Sequence, residues 1–149
     1  MTNDLRHFAL DEIENIARIL VNELEAGSVV VLVGEMGSGK TTLVSACAKV
    51  LGVLENVTSP TFSIIEEHDC HIENSYIKHI IHVDTYRIEY ENEIFDLDFD
   101  SIFSKDAITF IEWGERIEDM IVDQYYVWTL MENEDGTRSI STQSRNDAA

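Results

Sequence analysis

The chain has 149 residues and carries 29 acidic against 10 basic side chains, a formal net charge of −19. This length predicts one domain, residues 1–149, that is large enough to bury a core. So acidic a surface repels phosphodiester backbones and anionic lipid, and it argues against extensive direct binding of nucleic acid.

The cytoplasm is the expected compartment. The first six residues lack the basic and then apolar pattern of a secretory signal. The longest apolar run, residues 29–33, is far too short to cross a bilayer, so we expect no membrane association. Cys47 and Cys70 are too few for a disulfide framework, and the helical position of Cys47 favours a small buried side chain.

The first periodic segment predicts an amphipathic helix over residues 10–24. Its apolar positions share one face: Ile13, Ile16, Ala17, Leu20 and Leu24. Asp11 and Glu14 are spaced for a capping box at its start, and Gly27 is expected to end it.

A glycine-rich motif comes next. Residues 34–41 read Gly-Glu-Met-Gly-Ser-Gly-Lys-Thr and match G-x-x-x-x-G-K-[ST]. An apolar run predicts a buried strand before it, and residues 42–50 have helical spacing after it. Glycines let consecutive N–H groups point inward, and the following helix adds its positive end. The motif in this context predicts a phosphate-binding loop and hence a bound nucleoside triphosphate.

Two side chains of the loop have predicted roles in chemistry. Lys40 is placed to reach the β- and γ-phosphates, and the Thr41 hydroxyl to take one coordination position on Mg²⁺. The candidate nucleotide-binding residues of the loop are Met36, Gly37, Ser38, Gly39, Lys40, Thr41 and Thr42.

The rest of the chain predicts further strands and short helices. The lone proline, Pro60, predicts a defined loop. Strands are expected at 62–67, 77–83, 107–112, 125–131 and 138–142, with polar hairpin connections at 69–75 and 132–136. Short surface helices are expected in the acidic run 89–100 and at 116–121, and a loose tail over 144–149. The predicted class is α/β, a three-layer P-loop NTPase-like fold with a parallel core sheet extended by antiparallel strands.

Two carboxylates stand where predicted strands end. Glu112 follows Ile-Thr-Phe-Ile, the pattern of a Walker B strand, though with Glu where Asp is commoner. Asp84 follows Ile-Ile-His-Val. Ligands of open α/β sheets bind at these carboxyl ends, so Glu112 is a candidate Mg²⁺ ligand and Asp84 a candidate catalytic acid. The alternative for each is an ordinary solvent-facing acid. Arg87, three residues past Asp84, either pairs with that aspartate or reaches a phosphate, and the ion pair is the favoured interpretation.

Other polar residues leave two interpretations open. Thr58, Ser59 and Thr61 surround the proline and form either a switch-like loop that senses the γ-phosphate or a plain turn. Trp113 either contributes to the nucleotide site or packs in the core. The role of segment 68–82 stays open, since its His and Cys residues match no regular zinc spacing: His68, Cys70, His71, His79 and His82.

Four segments together resemble the TsaE (YjeE) family. They are Gly-Glu-Met-Gly-Ser-Gly-Lys-Thr-Thr-Leu (34–43), Thr-Ser-Pro-Thr-Phe-Ser (58–63), His-Val-Asp-Thr-Tyr-Arg (82–87) and Ile-Glu-Trp-Gly-Glu-Arg (111–116). They occur in that family's order and at compatible separations, so the resemblance covers nearly the whole chain. Many families share the phosphate loop, whereas the other three segments are much more specific.

The resemblance implies a bacterial ATPase needed to make N6-threonylcarbamoyladenosine at position 37 of certain tRNAs. Members of this family work with the TsaB–TsaD heterodimer, and ATP hydrolysis is thought to reset that complex between turnovers. On this chain, the resemblance implies that Thr41 and Glu112 hold Mg²⁺ and that Asp84 and Lys40 support catalysis. The resemblance also implies that Thr61 lies in the switch-like loop and that Trp113 and the closing hairpin near Gly136 lie around the nucleotide.

Two other functions remain compatible with these residues. A small-molecule kinase shares the loop, but such kinases place several arginines in a lid, and residues 85–105 contain only Arg87 and Lys105 as basic residues. A non-catalytic subunit whose bound ATP switches an interface would carry the same Asp84 and Glu112.

Overall fold

A seven-stranded mixed sheet forms the centre of the fold in the computed structural model, in the order β1-β7-β6-β2-β5-β4-β3. The structure describes residues 3–35, 37–55, 57, 65–73, 75–84, 103–112 and 124–145. The strands are β1 (Asn3–Phe8), β2 (Val29–Val33), β3 (Ile65–Asp69), β4 (His79–Asp84), β5 (Ala107–Glu112), β6 (Tyr125–Glu132) and β7 (Arg138–Arg145). The helices are α1 (Ile13–Asn22) and α2 (Lys40–Val50).

The four central strands are parallel, and antiparallel strands extend the sheet on both sides. β2 pairs in parallel with both β5 and β6, and β4 pairs in parallel with β5. β7 is antiparallel to β6 and β1, and β3 is antiparallel to β4. The predicted α/β class, with a parallel core and antiparallel extensions, is confirmed.

Both described helices cover the same face of the sheet. Side chains alternate between the faces of a strand, so Leu32, Phe110 and Trp128 point toward this side. They join Leu20 of α1 and Leu43 of α2 in one buried core. The opposite face has its own buried cluster, which includes Val31, Ile111 and Val127. Burial on both faces explains the continuous apolar runs of β2 and β5.

The N-terminal helix differs from its prediction. A 3₁₀ turn, Leu10–Glu12, precedes α1, and the helix ends at Asn22 rather than near residue 24. The predicted capping box of Asp11 and Glu14 is wrong. Because the tight turn brings Glu12 back over the chain, its carboxylate accepts the Ala9 N–H at 2.8 Å instead.

Strand pairing extends further at both ends of the described chain than the sequence predicts. The pattern predicted no strand β1, which pairs with β7 along its whole length. The predicted loose tail is wrong at residues 144 and 145. Ser144 and Arg145 still pair with Tyr126 and Tyr125 of β6, so the hairpin ladder holds them in β7.

The remaining boundaries move by a few residues. β3 begins within the predicted strand 62–67 and extends to Asp69, and β4 runs from His79 to Asp84 where 77–83 was predicted. β5 has the predicted bounds. The predicted surface helices at 89–100 and 116–121 lie outside the described residues. Within the described part of the chain, neither helix has the length and apolar character needed to cross a bilayer.

Candidate functional site

The glycine-rich loop joins the carboxyl end of β2 to the N-terminus of α2, as the sequence predicts. Gly39 is the N-cap residue of α2, with φ at 105°, a left-handed conformation that favours glycine. Gly34 leaves no room for a side chain, because a Cβ there would lie 2.7 Å from Ser38 Oγ and 2.8 Å from the Leu130 carbonyl oxygen. The loop is therefore closely packed at its start, and its last residue caps the N-terminus of α2.

Lys40 and Ser38 are the buried polar side chains of this loop. Lys40 is 5% exposed, and its Nζ donates to the Gly34 carbonyl oxygen at 2.6 Å, so the ammonium group crosses the loop. Ser38 is also buried, and its Oγ has no hydrogen-bond partner among the described residues. A buried hydroxyl without a partner is costly, and an oxyanion at this position would supply an acceptor.

Thr41 and Glu112 join the loop to the sheet. The Thr41 Oγ1 lies 2.9 Å from Glu112 Oε1 and 3.1 Å from Oε2, so its hydroxyl donates to that carboxylate. Glu112 ends β5 and is only 4% exposed. Glu112 is therefore not the solvent-facing acid that the sequence allowed as an alternative. A hydroxyl and a carboxylate in contact are oxygen ligands of the kind that Mg²⁺ prefers.

His82 is a part of the site that the sequence did not assign. It is fully buried on β4, and its Nε2 lies 2.5 Å from Glu112 Oε2. We assign the proton to Nε2, because a carboxylate accepts. The other ring nitrogen, Nδ1, is buried without a hydrogen-bond partner among the described residues. One signal was available: His82 lies two positions before Asp84, and alternate residues of a strand share a face.

Asp84 is the last residue of β4 and lies beside Glu112. The two are paired in the parallel register of β4 and β5, and both are buried, with Asp84 8% exposed. Paired residues of adjacent strands point to the same face, and Glu112 also pairs with Leu32, whose side chain packs on the side of α2. Asp84 and Glu112 therefore share the face that carries α2. The structure thus brings together Thr41, Glu112, His82 and Asp84 at the carboxyl edge of the parallel strands.

Other predicted residues lie elsewhere or outside the described residues. Thr42 is exposed on the first turn of α2, where it lines a surface groove of about 430 Å³ with Ile13 and Lys49. Gly37 is exposed at the turn of the loop. The predicted site residues outside the described part of the chain are Met36, Thr58, Ser59, Thr61, Arg87 and Trp113.

Three of the four histidines of segment 68–82 have separate partners: His68, His79 and His82. His68 Nδ1 lies 2.8 Å from Glu55 Oε1, and His82 belongs to the Glu112 cluster. His79 lies in a surface cluster with Glu67 and Asp69, whose ligand atoms fall within 4.8 Å of one another. The open question about this segment is answered for His82, whose imidazole contacts the candidate metal ligand.

A seven-stranded sheet with a parallel core, and a glycine-rich loop between its central strand and a helix, define an α/β protein of P-loop NTPase-like fold. The chain belongs to the TsaE family. The family model "Threonylcarbamoyl adenosine biosynthesis protein TsaE" matches residues 9–140.

Individual relatives agree with the family model. A protein of Bacillus subtilis is 32% identical over 131 residues, which cover 88% of this chain and 78% of the relative. A protein of Streptomyces coelicolor is 40% identical over 111 residues, or 73% of this chain and 72% of the relative. Both are named tRNA threonylcarbamoyladenosine biosynthesis protein TsaE.

A solved structure has the same fold. The structure entitled "Crystal structure of Bacillus subtilus YdiB" superposes with a TM-score of 0.73 and covers 97% of this chain and 86% of that one, at 23% identity. The likeness at this identity concerns the architecture, and it agrees with the strand order described above.

Proposed function

We propose that this protein is a Mg²⁺-dependent P-loop ATPase of the cytoplasm that is required for threonylcarbamoylation of adenosine 37 in tRNA. It acts in this proposal with the TsaB–TsaD complex, which ATP hydrolysis resets between turnovers. Support for the pathway comes from the names of its relatives, which refer to tRNA threonylcarbamoyladenosine biosynthesis.

The observation that carries the ATPase proposal is the contact between the Thr41 hydroxyl and the buried Glu112 carboxylate. This contact joins the first turn of α2 to the end of a neighbouring parallel strand. In P-loop NTPases the metal is held by the loop Ser or Thr together with a strand-end acid. Thr41 and Glu112 fit that description in chemistry and in position.

In this proposal the loop binds the phosphates, and two side chains hold the metal. The loop N–H groups and the N-terminus of α2 hold the phosphates. Lys40 exchanges the Gly34 carbonyl for a phosphate oxygen, which is a stronger acceptor because it is charged. Thr41 and Glu112 would hold Mg²⁺, which would neutralise negative charge on the phosphates.

His82 and Asp84 complete the site from the neighbouring strand. The Nε2–H of His82 donates to Glu112 and so orients the carboxylate that is to hold the metal. Asp84, at the end of the same strand, is proposed to orient the attacking water. Buried walls around these groups strengthen their electrostatic effect, because the local dielectric constant is lower than that of water.

The experiment is a measurement of phosphate release from ATP, with and without TsaB–TsaD and with and without Mg²⁺. We expect hydrolysis to be stimulated by the complex and abolished by a chelator. Glu112→Ala removes a metal ligand and is expected to slow hydrolysis about 100-fold. Glu73→Ala is the matched control, because Glu73 is an exposed glutamate of a surface connection.

Three results would contradict the proposal in different ways. Phosphorylation of a metabolite without stimulation by the complex would indicate a kinase. Tight ATP binding with no hydrolysis, even in the complex, would indicate a switch subunit. Normal Mg²⁺-dependent hydrolysis by Glu112→Ala would remove the metal-ligand assignment alone.

A further inference from the structure

The hairpin of β3 and β4 brings an imidazole and two carboxylates together on the sheet face opposite α1 and α2. Asp69 pairs with His79 across the hairpin, and Glu67 lies two positions before Asp69, so all three side chains share one face. Ile81, two positions after His79, packs in the buried cluster of that face. His79 follows Asp69 by ten positions in the sequence, so the register of the hairpin, and no short motif, forms this group.

The distances within the group are those of ligands around a tetrahedral ion. His79 Nδ1 lies 3.0 Å from Asp69 Oδ1 and 3.3 Å from Glu67 Oε1, and the three ligand atoms all lie within 4.8 Å of one another. Two ligands that a tetrahedral Zn²⁺ binds at about 2.0–2.1 Å are about 3.3 Å apart. A single N–H at Nδ1 donates fully to only one carboxylate, whereas a cation here would bind both carboxylates and the imidazole at once.

Carboxylates outnumber cations around this imidazole. Within the described parts of the chain, Glu67 and Asp69 form ion pairs with His79 alone. On the other side of the ring, His79 Nε2 lies 3.8 Å from a third carboxylate, Asp106 Oδ2, near which Lys78 adds one positive charge. Glu67 and Asp69 therefore share one imidazole as their counter-charge, and a divalent cation would balance both.

Asp106 is independent of the two ligating acids and is placed as the outer partner of a metal-binding histidine. Its Oδ1 accepts the Ser104 hydroxyl at 2.6 Å, and its backbone carbonyl accepts the Lys78 N–H at 2.7 Å, so the residue is anchored beside the start of β4. With an ion on Nδ1, the ring proton of His79 is on Nε2 and faces Asp106. Metal-binding histidines commonly direct their second ring nitrogen toward a carboxylate, which orients the ring and raises its basicity.

We propose that Glu67, Asp69 and His79 bind a divalent transition-metal ion of the Zn²⁺ type. Two carboxylates and one imidazole suit this ion, with a water molecule in the fourth position. His79 and Asp84 are the two ends of β4, about 17 Å apart along the strand, and they point to opposite faces. The site is therefore separate from the proposed nucleotide site, and an ion there would clamp the hairpin and stabilise it.

The test is a calorimetric titration of the metal-free full chain with Zn²⁺ in the absence of nucleotide, with thermal unfolding measured alongside. We expect saturable binding of one ion and a rise of the unfolding midpoint with Zn²⁺. Asp106→Asn removes only the outer partner and should weaken the affinity about 10-fold to 100-fold. His79→Ala removes a ligand and should weaken it by about 100-fold or more.

His71→Ala is the matched control. His71 is an exposed histidine of the connection between β3 and β4, outside the group, and its loss should leave the Zn²⁺ affinity unchanged. Unfolding midpoints without metal report whether each variant is folded. Asp69→Asn changes an exposed side chain with little change of size, and it replaces His79→Ala if that variant unfolds.

Three results would overturn the inference. The first is an unaltered protein that shows no saturable binding of Zn²⁺, which would leave His79 as an ion-pair partner only. The second is an unchanged affinity in folded His79→Ala or Asp69→Asn protein. The third is binding that Glu112→Ala abolishes and His79→Ala retains, which would assign the ion to the candidate nucleotide site. A failure of ATP hydrolysis would overturn the proposed function and leave this site intact.

Discussion

The two cysteines differ in how strongly the fold suppresses their reactivity. Cys47 is fully buried on α2, and burial raises the pKa of its thiol far above the ordinary value. Cys70 is partly buried at the end of β3. Burial, helped by the charges of Asp69 and Glu55, raises the pKa of its thiol from the ordinary 9.0 to about 11. The thiolate is the nucleophile, so both thiols are poor nucleophiles near neutral pH.

We predict that Cys70 reacts with iodoacetamide about 100-fold more slowly than free cysteine at pH 8, because its thiolate is scarcer by that factor. The rate should rise about tenfold per pH unit until it levels near the pKa of about 11. Mass spectrometry of the labelled peptides gives the rate for each cysteine. Cys70→Ser should abolish native labelling, with Cys47 labelled after unfolding. Labelling of Cys70 at the rate of free cysteine would contradict the burial seen here.

At this scale the sequence identifies residues whose role follows from local context, and it misses those whose role follows from register. Lys40 and Thr41 lie inside a contiguous motif, and Glu112 ends a recognisable strand. The partner of His82 depends instead on the alignment of β4 with β5, which places its imidazole against Glu112. The hairpin of β6 and β7 likewise brings Arg138 Nε to 3.9 Å from the position that a Cβ on Gly39 would occupy. No short-range pattern contains either contact.

Two of the three glycines in the loop between β2 and α2 constrain it in different ways. A Cβ on Gly34 would overlap both a side chain and the backbone of β6. Gly37 has a positive φ of 85°, yet nothing lies within 4 Å of the position of a Cβ there. The first glycine is required by packing between elements, and the second by the backbone conformation of the turn.

We predict that Gly34→Ala lowers the free energy of unfolding more than Gly37→Ala does. Overpacking against β6 costs about 1–3 kcal/mol, whereas a left-handed alanine costs about 1–2 kcal/mol. Gly34→Ala should also weaken nucleotide binding, because β6 or the loop must move to admit the methyl group. Urea unfolding of both variants measures the difference. Equal stability of the two variants would contradict the prediction, because overpacking against β6 would then cost no more than a left-handed alanine.

Elements were predictable where a local pattern carries the signal. β5 is buried on both faces, and its run of apolar residues marks it clearly. β1 has the sequence Asn-Asp-Leu-Arg-His-Phe, and of the side chains from Leu5 onward only Phe8 is buried. An edge strand with one buried side chain has no clear alternation, and its partner β7 lies about 130 residues away in sequence, so β1 was missed.

The charge of the whole molecule leads to a prediction about tRNA. At a net charge of −19, approach to a phosphodiester backbone is repulsive at long range. We predict that the isolated protein does not shift tRNA in a native gel at low salt, where electrostatic attraction would be strongest. A basic protein that binds tRNA serves as the positive control. Retention of tRNA by the isolated protein that disappears on adding salt would contradict this prediction.

The strand order also determines when the sheet can be completed during synthesis. β1 is the first of the described strands to be made, but its only strand partner among them is β7, the last one, which lies between β1 and β6. β1 therefore waits without a partner until the ribosome has passed residue 145, and unpaired strands are templates for aggregation. The same polar composition that leaves β1 without a clear sequence pattern also lowers its tendency to aggregate while it has no partner.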